Sequence, residues 1–388
     1  MRQSWWQMPG PSYFIKIIVD DLIDGKNVCM LLPSIIPRGL KTAVKDYLPD
    51  PEGWEWRDLN ISYFNYEEAI RPAQLLFDVF CKDASPSVIR NSANLLREPA
   101  FHGKLVWLEG LSKETWQVWR EYIQEYAELS RGLHINERTR FVCTLEGAVS
   151  GMSPAPLIAL SIRKWEGFVE KLDMMLYCSS LIKRRDLGPI KKALTVNICS
   201  NLAKWDPVTA DYLCSLELID LLYPIAFLND LAGSFDFVER GVTWEEGTLN
   251  KVDDKLYAHS SYLAMMGKTK QLEKRIWEAQ LTVLFPVLEE VRLKLVDYLD
   301  LHLSVPFHPL IGKPIEQKID LEIGHIHFQI CKSSNVDNKI RKYVGQLKEL
   351  RNDLAHLSPI GKDKIYLIEA LEEIMNMLNN EDEIIIEK

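Results

Sequence analysis

The sequence predicts an α/β domain followed by all-α modules. Three observations carry this reading. Short runs rich in Val, Leu and aromatics stand at 28–32, 105–108 and 141–145, the length and composition of buried strands. Between the last two lies 113–131, long, amphipathic and free of Pro and Gly, so strand, long helix, strand repeats as in a parallel unit. Beyond residue 155 or so the apolar residues recur at three- and four-residue spacing, the period of helices.

Taken in order, 1–150 is expected to be the α/β domain with a parallel sheet, and 151–269 a helical middle module. In the latter, 161–181 and 194–203 read as helices. Trp205-Asp206-Pro207 reads as a helix stop and a new start, because Pro suits a first helical position. The segment 232–247 is the most loop-like part of the chain and is expected to be a hinge. From 270 to 380 four helices with short connections predict a bundle. Leu284, Leu288, Val291, Leu295 and Leu299 form the first seam, kinked near its start by Pro286 and ended by Pro306. The others are expected over 319–331, 335–357 and 363–379. The third has Val336, Ile340, Val344, Leu347, Leu350 and Leu354 as its seam. Residues 381–388 read as an acidic, frayed tail.

Composition bounds the function classes. The chain has 388 residues, 47% hydrophobic and 26% charged, too apolar for a disordered chain and long enough for two or three domains. No run of about 18 uncharged apolar residues is present, and the start has no signal-peptide pattern, so a soluble, cytoplasmic protein without membrane contact is expected. A net charge of -9 argues against a broad nucleic-acid-coating surface, though not against one basic helix such as 339–351. Seven widely spaced cysteines, with no C-x-x-C among them, read as reduced core thiols and give neither a disulfide framework nor a zinc site.

The first expected strand is followed by Pro33-Ser34-Ile35-Ile36-Pro37-Arg38-Gly39-Leu40-Lys41-Thr42, where a nucleotide-binding α/β domain places its phosphate loop. Such a loop needs converging backbone N–H groups and a Lys directly after Gly. Here Pro33 and Pro37 remove donors, and Leu40 stands between Gly39 and Lys41, turning the lysine by about 100°. Downstream, Leu105 to Leu108 followed by Glu109 resembles a Walker B strand, and 141–145 followed by Glu146 resembles the next sensor strand. Over 1–150 the organisation resembles a P-loop NTPase domain of the AAA or STAND type with a degenerate loop. The resemblance implies a nucleotide-free, hydrolytically inactive domain, with no cofactor. An unrelated α/β domain whose strands end in acids is the alternative.

Near the other end, Leu350-Arg351-Asn352-Asp353-Leu354-Ala355-His356 carries an Arg, a polar residue directly after it and a His five positions on, late in a bundle. With Leu321-Glu322-Ile323-Gly324 ahead of it, the stretch resembles the signature of HEPN domains over about 270–380. The resemblance implies metal-independent RNA cleavage at a site composed across a homodimer. His356 would then be the general acid/base, Arg351 the phosphate or orienting group and Asn352 a positioning residue. It equally implies a second outcome, since many such domains only dimerise or bind partners. At about 100° per residue Asn352 and His356 share a face, and His356 lies about 180° from the seam residue Leu347, away from its own core. A helix C-terminus also favours cations such as Arg351 and His356 for purely structural reasons.

Other signals are weaker. His325 and His327, two apart in a helix, face opposite ways and do not make a metal site. Lys164, Lys183, Arg184, Arg185, Lys191 and Lys192 read as a solvated basic face rather than a nucleic-acid surface. Trp5, Trp6, Trp54 and Trp56 are expected to anchor the N-terminal segment. The combined resemblance is to prokaryotic conflict systems, including antiviral defence. It implies an inactive NTPase-like platform joined to a HEPN dimerisation and partner-binding scaffold, with other defence-system subunits as partners. The alternative is a HEPN endoribonuclease acting on RNA through Arg351 and His356.

Overall fold

A computed structural model describes residues 2–49, 54–310 and 312–386. The packing gives two units where three segments were expected. One comprises Met1–Asp173 with Gly233–His259, the other Met174–Ala232 with Ser260–Lys388.

The first unit is built on five parallel strands, β1 (Asn27–Leu32), β2 (Glu55–Asn60), β3 (Lys104–Glu109), β4 (Arg140–Glu146) and β5 (Leu160–Lys164), in the order β2-β3-β4-β1-β5. The three expected strands are β1, β3 and β4. Every residue of β1 is buried, as a parallel strand covered on both faces requires. Its register sets Cys29 against Cys143 of β4 and Ile162 of β5. Asn27 is buried at the start of β1, where its amide nitrogen donates to the Ala159 carbonyl and its oxygen accepts from the Phe141 N–H. One polar side chain therefore ties three neighbouring strands.

Two strands carry no expected signal. β2 is an edge strand with mostly exposed residues, so its composition is polar and holds no apolar run. β5 falls where a helix over 161–181 was expected. Its apolar residues continue at helical spacing into 165–169, but Gly167 takes a φ of +76° and separates the strand from the helix Lys171–Ile182.

Helices α1 (Pro9–Ile23), α2 (Leu40–Tyr47) and α3 (Lys113–Ser130) belong to this unit. The expected helix 113–131 is α3, and it starts at a capping box in which Ser112 and Thr115 satisfy each other's backbone N–H groups. Trp5 and Trp6 are buried, and the Trp6 indole N–H donates to the Arg38 carbonyl at 3.0 Å, so this pair does anchor the N-terminal segment. Trp54 and Trp56 do not. Trp56 sits in β2 stacked on Trp107, and Trp54 lies under the Arg140 guanidinium.

The segment expected to be most loop-like, 232–247, is mainly turns and bends from 235 on. Beyond it, where helix was expected, the chain forms a hairpin, β6 (Leu249–Val252) and β7 (Lys255–Ala258), turned by Asp253 and Asp254 with φ of +48° and +60°. Two left-handed central residues match the right-handed twist of the flanking strands, and Asp tolerates them. The Asp-Asp pair was the signal for it.

The second unit is helical. Pro189–Ala203 and Pro207–Cys214 are joined at the expected stop, with Asp206 capping the Val208 and Thr209 N–H groups. Four further helices are α4 (Thr269–Tyr298), α5 (Ile323–Ile330), α6 (Asn338–Ala355) and α7 (Ile365–Ile386). The expected seam of α6, Ile340, Val344, Leu347, Leu350 and Leu354, is buried, as is Val336 just before it. Two boundaries differ. α4 runs through Pro286 and stops at Tyr298, well short of Pro306. The backbone of α7 continues to Ile386, through most of the expected tail. Among the described residues no helix is long and apolar enough to cross a membrane.

Candidate functional site

The phosphate-loop position lies at the carboxyl end of β1, where open parallel sheets bind ligands. The chain leaves β1 through Pro33 and enters α2 at Gly39, whose φ of +92° only glycine adopts without strain. The first backbone donor of this loop has another partner. The Ser34 N–H donates to the Glu245 carbonyl at 2.8 Å, and Arg240 donates to the Ser34 hydroxyl and, at 3.2 Å, to the Glu246 carbonyl. Gly247 lies so close to Ile35 that a Cβ there would stand 3.1 Å from the isoleucine Cβ. Residues 240–247 therefore pack on the first part of this loop, at Ser34 and Ile35.

Lys41 is likewise held. As the second residue of α2 it reaches Asp58 on β2 at 3.2 Å and both carboxylate oxygens of Glu109 on β3 at 3.2 Å. The register explains the meeting, since Asn60 is paired with Glu109 and Asp58 with Trp107. Burial works against the ammonium, but Glu109 and then Asp58 outweigh it and hold Lys41 above the usual lysine range. Thr42 is exposed one residue on. The structure thus brings Lys41 and Glu109 together, and adds Asp58, which sequence reasoning missed because β2 was not recognised. Glu245 and Arg240 lie some two hundred residues away along the chain, and no local signal announces them.

In the second unit, Arg351, Asn352 and His356 lie at the end of α6. Arg351 is paired with Glu322 at 3.0 Å, the acid that precedes α5. Asn352 is half-buried, and its carbonyl accepts the His356 N–H at 3.0 Å. His356 is the C-cap, one residue beyond the helix rather than within it as expected, and it is exposed. It makes no side-chain hydrogen bond among the described residues. Projected at about 100° per residue, Arg351 and His356 point roughly 140° apart around the helix axis. Asn352 and His356 project to one side of the axis and Arg351 to another.

The chain matches no family model and no curated protein.

The turn beyond His356 is fixed firmly. Leu357 turns with φ of +58°, and the Ser358 N–H donates to the Asp353 carbonyl. Gln280 of α4, fully buried, then donates to the Ile360 carbonyl at 2.9 Å and accepts its N–H at 2.7 Å. Trp277 donates to the Leu354 carbonyl at 2.8 Å, and Lys364 pairs with Asp353 at 2.7 Å and Glu349 at 3.2 Å. These contacts set where His356 stands, and none was read from the sequence.

The remaining basic residues are partly engaged within their own units. Lys164 pairs with Glu166, Arg185 with Glu217 and Lys191 with Glu372. His325 and His327 diverge on α5, with His325 accepting the Glu322 N–H and His327 packed on Gly345.

Proposed function

We propose that this chain is a non-hydrolysing NTPase-like platform joined to a HEPN-like bundle that serves as a dimerisation and partner-binding scaffold in a prokaryotic conflict system. The observation that supports it best is the occupied phosphate-loop position. The Ser34 amide is bonded to Glu245 and the Lys41 ammonium to Asp58 and Glu109. A triphosphate needs those donors and that charge, so it would have to expel residues 240–247 and separate an ion cluster. In the bundle, the Arg351–Glu322 pair and the divergence of Arg351 from His356 favour a surface over a one-chain active site.

The second reading, metal-independent cleavage of RNA, keeps support from His356, exposed on the same side as Asn352 and hydrogen-bonded through its N–H at the helix cap. In that reading a second copy supplies the opposing Arg351. The discriminating experiment incubates the full chain with total RNA in EDTA beside Arg351→Ala and His356→Ala, and follows mass by light scattering. The scaffold reading expects a dimer and intact RNA in all three samples. Cleavage by the wild type that both substitutions abolish overturns it in favour of the nuclease.

A further inference from the structure

Six of the seven cysteines are buried, and Cys331 alone is exposed. It departs from the expected set of core thiols, and its surroundings are specific. Cys331 caps α5, one turn after His327, and its Sγ lies 3.5 Å from the His327 Nε2. The imidazole is held in place from the next helix. Gly345 of α6 faces it so closely that a Cβ there would stand 3.1 Å from Nε2, which makes glycine the residue that admits the ring. Lys332 follows Cys331 directly, with its ammonium 3.9 Å from the Phe328 ring centre, and Lys348 lies one turn beyond Gly345 on α6. From these contacts we propose that Cys331 is a modification site, a nucleophilic thiol served by His327 that exchanges with low-molecular-weight disulfides carrying negative charge.

The chemistry is consistent with the placement. Burial and then the Lys348 charge hold His327 below its ordinary value of 6.5, so at neutral pH it is an unprotonated base. A base that takes the proton during attack removes the need for a standing thiolate. In the exchange, the Cys331 proton passes to His327 Nε2 as Sγ attacks one sulfur of the disulfide. A new S–S bond forms while the original one breaks. The departing sulfur leaves with that electron pair as a thiolate, and His327 passes its proton to water or to that sulfur where it is basic enough, so no further oxidant is consumed. Lys332 and Lys348 attract an anionic reagent, and the resulting adduct stands beside the helix that carries Arg351 and Asn352.

The test uses the full chain and 5,5′-dithiobis(2-nitrobenzoate), a dianionic disulfide, followed by stopped-flow release of its thiolate at neutral pH. A single fast phase is expected, absent in Cys331→Ser, with the other thiols reacting only after denaturation. His327→Gln is expected to slow that phase by about a hundredfold. Gly345→Ala, which displaces the ring without deleting it, should slow it as well. With neutral 2-hydroxyethyl disulfide the rate should fall, and Lys348→Gln should narrow the difference between the two reagents. Circular dichroism confirms that each variant is folded. A Cys331 rate that neither His327→Gln nor Gly345→Ala changes, or that matches Cys331 in the denatured chain, overturns the proposal.

Discussion

Lys41 and Glu109 meet with the ammonium 3.2 Å from each carboxylate oxygen, and Asp58 completes the cluster at the same distance. The lysine at the phosphate-loop position is thereby committed to the carboxylates of β2 and β3. Lys41→Ala should cost only about 0.5–1 kcal/mol, because all three partners are substantially solvated. Urea denaturation measures this, and the difference from wild type should shrink in high salt. A loss of several kcal/mol would show that the cluster stabilises the fold far more than its exposure implies.

Gln280 exchanges two hydrogen bonds with the backbone of Ile360 in a fully buried setting. Gln280→Leu leaves both backbone groups unsatisfied and should destabilise the chain by about 2–4 kcal/mol. Hydrogen exchange at the Ile360 amide is the sharper readout. Protection should fall there first, and unchanged protection would mean that another contact fixes the turn after His356.

The parts of this fold legible in the sequence were those where burial imposes a pattern. β1, β3 and β4 are buried nearly throughout, and α6 buries one clean face, so apolar runs and periodicity located them. β2 escaped because its exposed edge leaves Glu55, Arg57 and Asp58 where a central strand would carry apolar residues. β5 escaped because a five-residue strand followed by a bend mimics helical spacing. The candidate sites split the same way. Lys41, Glu109, Arg351, Asn352 and His356 were found by local spacing. The partners Asp58 of Lys41 and Glu322 of Arg351 come from distant segments, and a single sequence does not encode which distant carboxylate a cation will meet.

Asp21 offers a pH test. Burial alone would raise its carboxyl, but hydrogen bonds from Arg163 at 2.6 Å and Lys26 at 3.0 Å outweigh this and hold it below 3.8. A depressed carboxylate contributes stability that is fully present above its unfolded value and is lost as pH falls through its folded one. Asp21→Asn should therefore cost about 1–3 kcal/mol near neutrality, since both cations remain partly hydrated. The gap in melting temperature should close below pH 3.8. A gap that persists in acid would contradict the assigned cause.

Gly10 in the first turn of α1 donates its N–H to Asp173 at 2.9 Å, and a Cβ there would fall 1.9 Å from the Phe168 carbonyl oxygen. Backbone cannot yield as a flexible side chain does. Gly10→Ala should cost about 2–4 kcal/mol by forcing α1 off that segment. Thermal denaturation checks it, and a neutral outcome would show that α1 and the Phe168 segment separate at little cost.

The central claim is that the phosphate-loop position does not serve a nucleotide, with the Ser34 amide and the Lys41 ammonium already bonded within the chain. Isothermal titration of the full chain with Mg-ATP tests it most directly. No binding heat is expected into the millimolar range, for wild type and Lys41→Ala alike. Saturable binding that Lys41→Ala abolishes would contradict it.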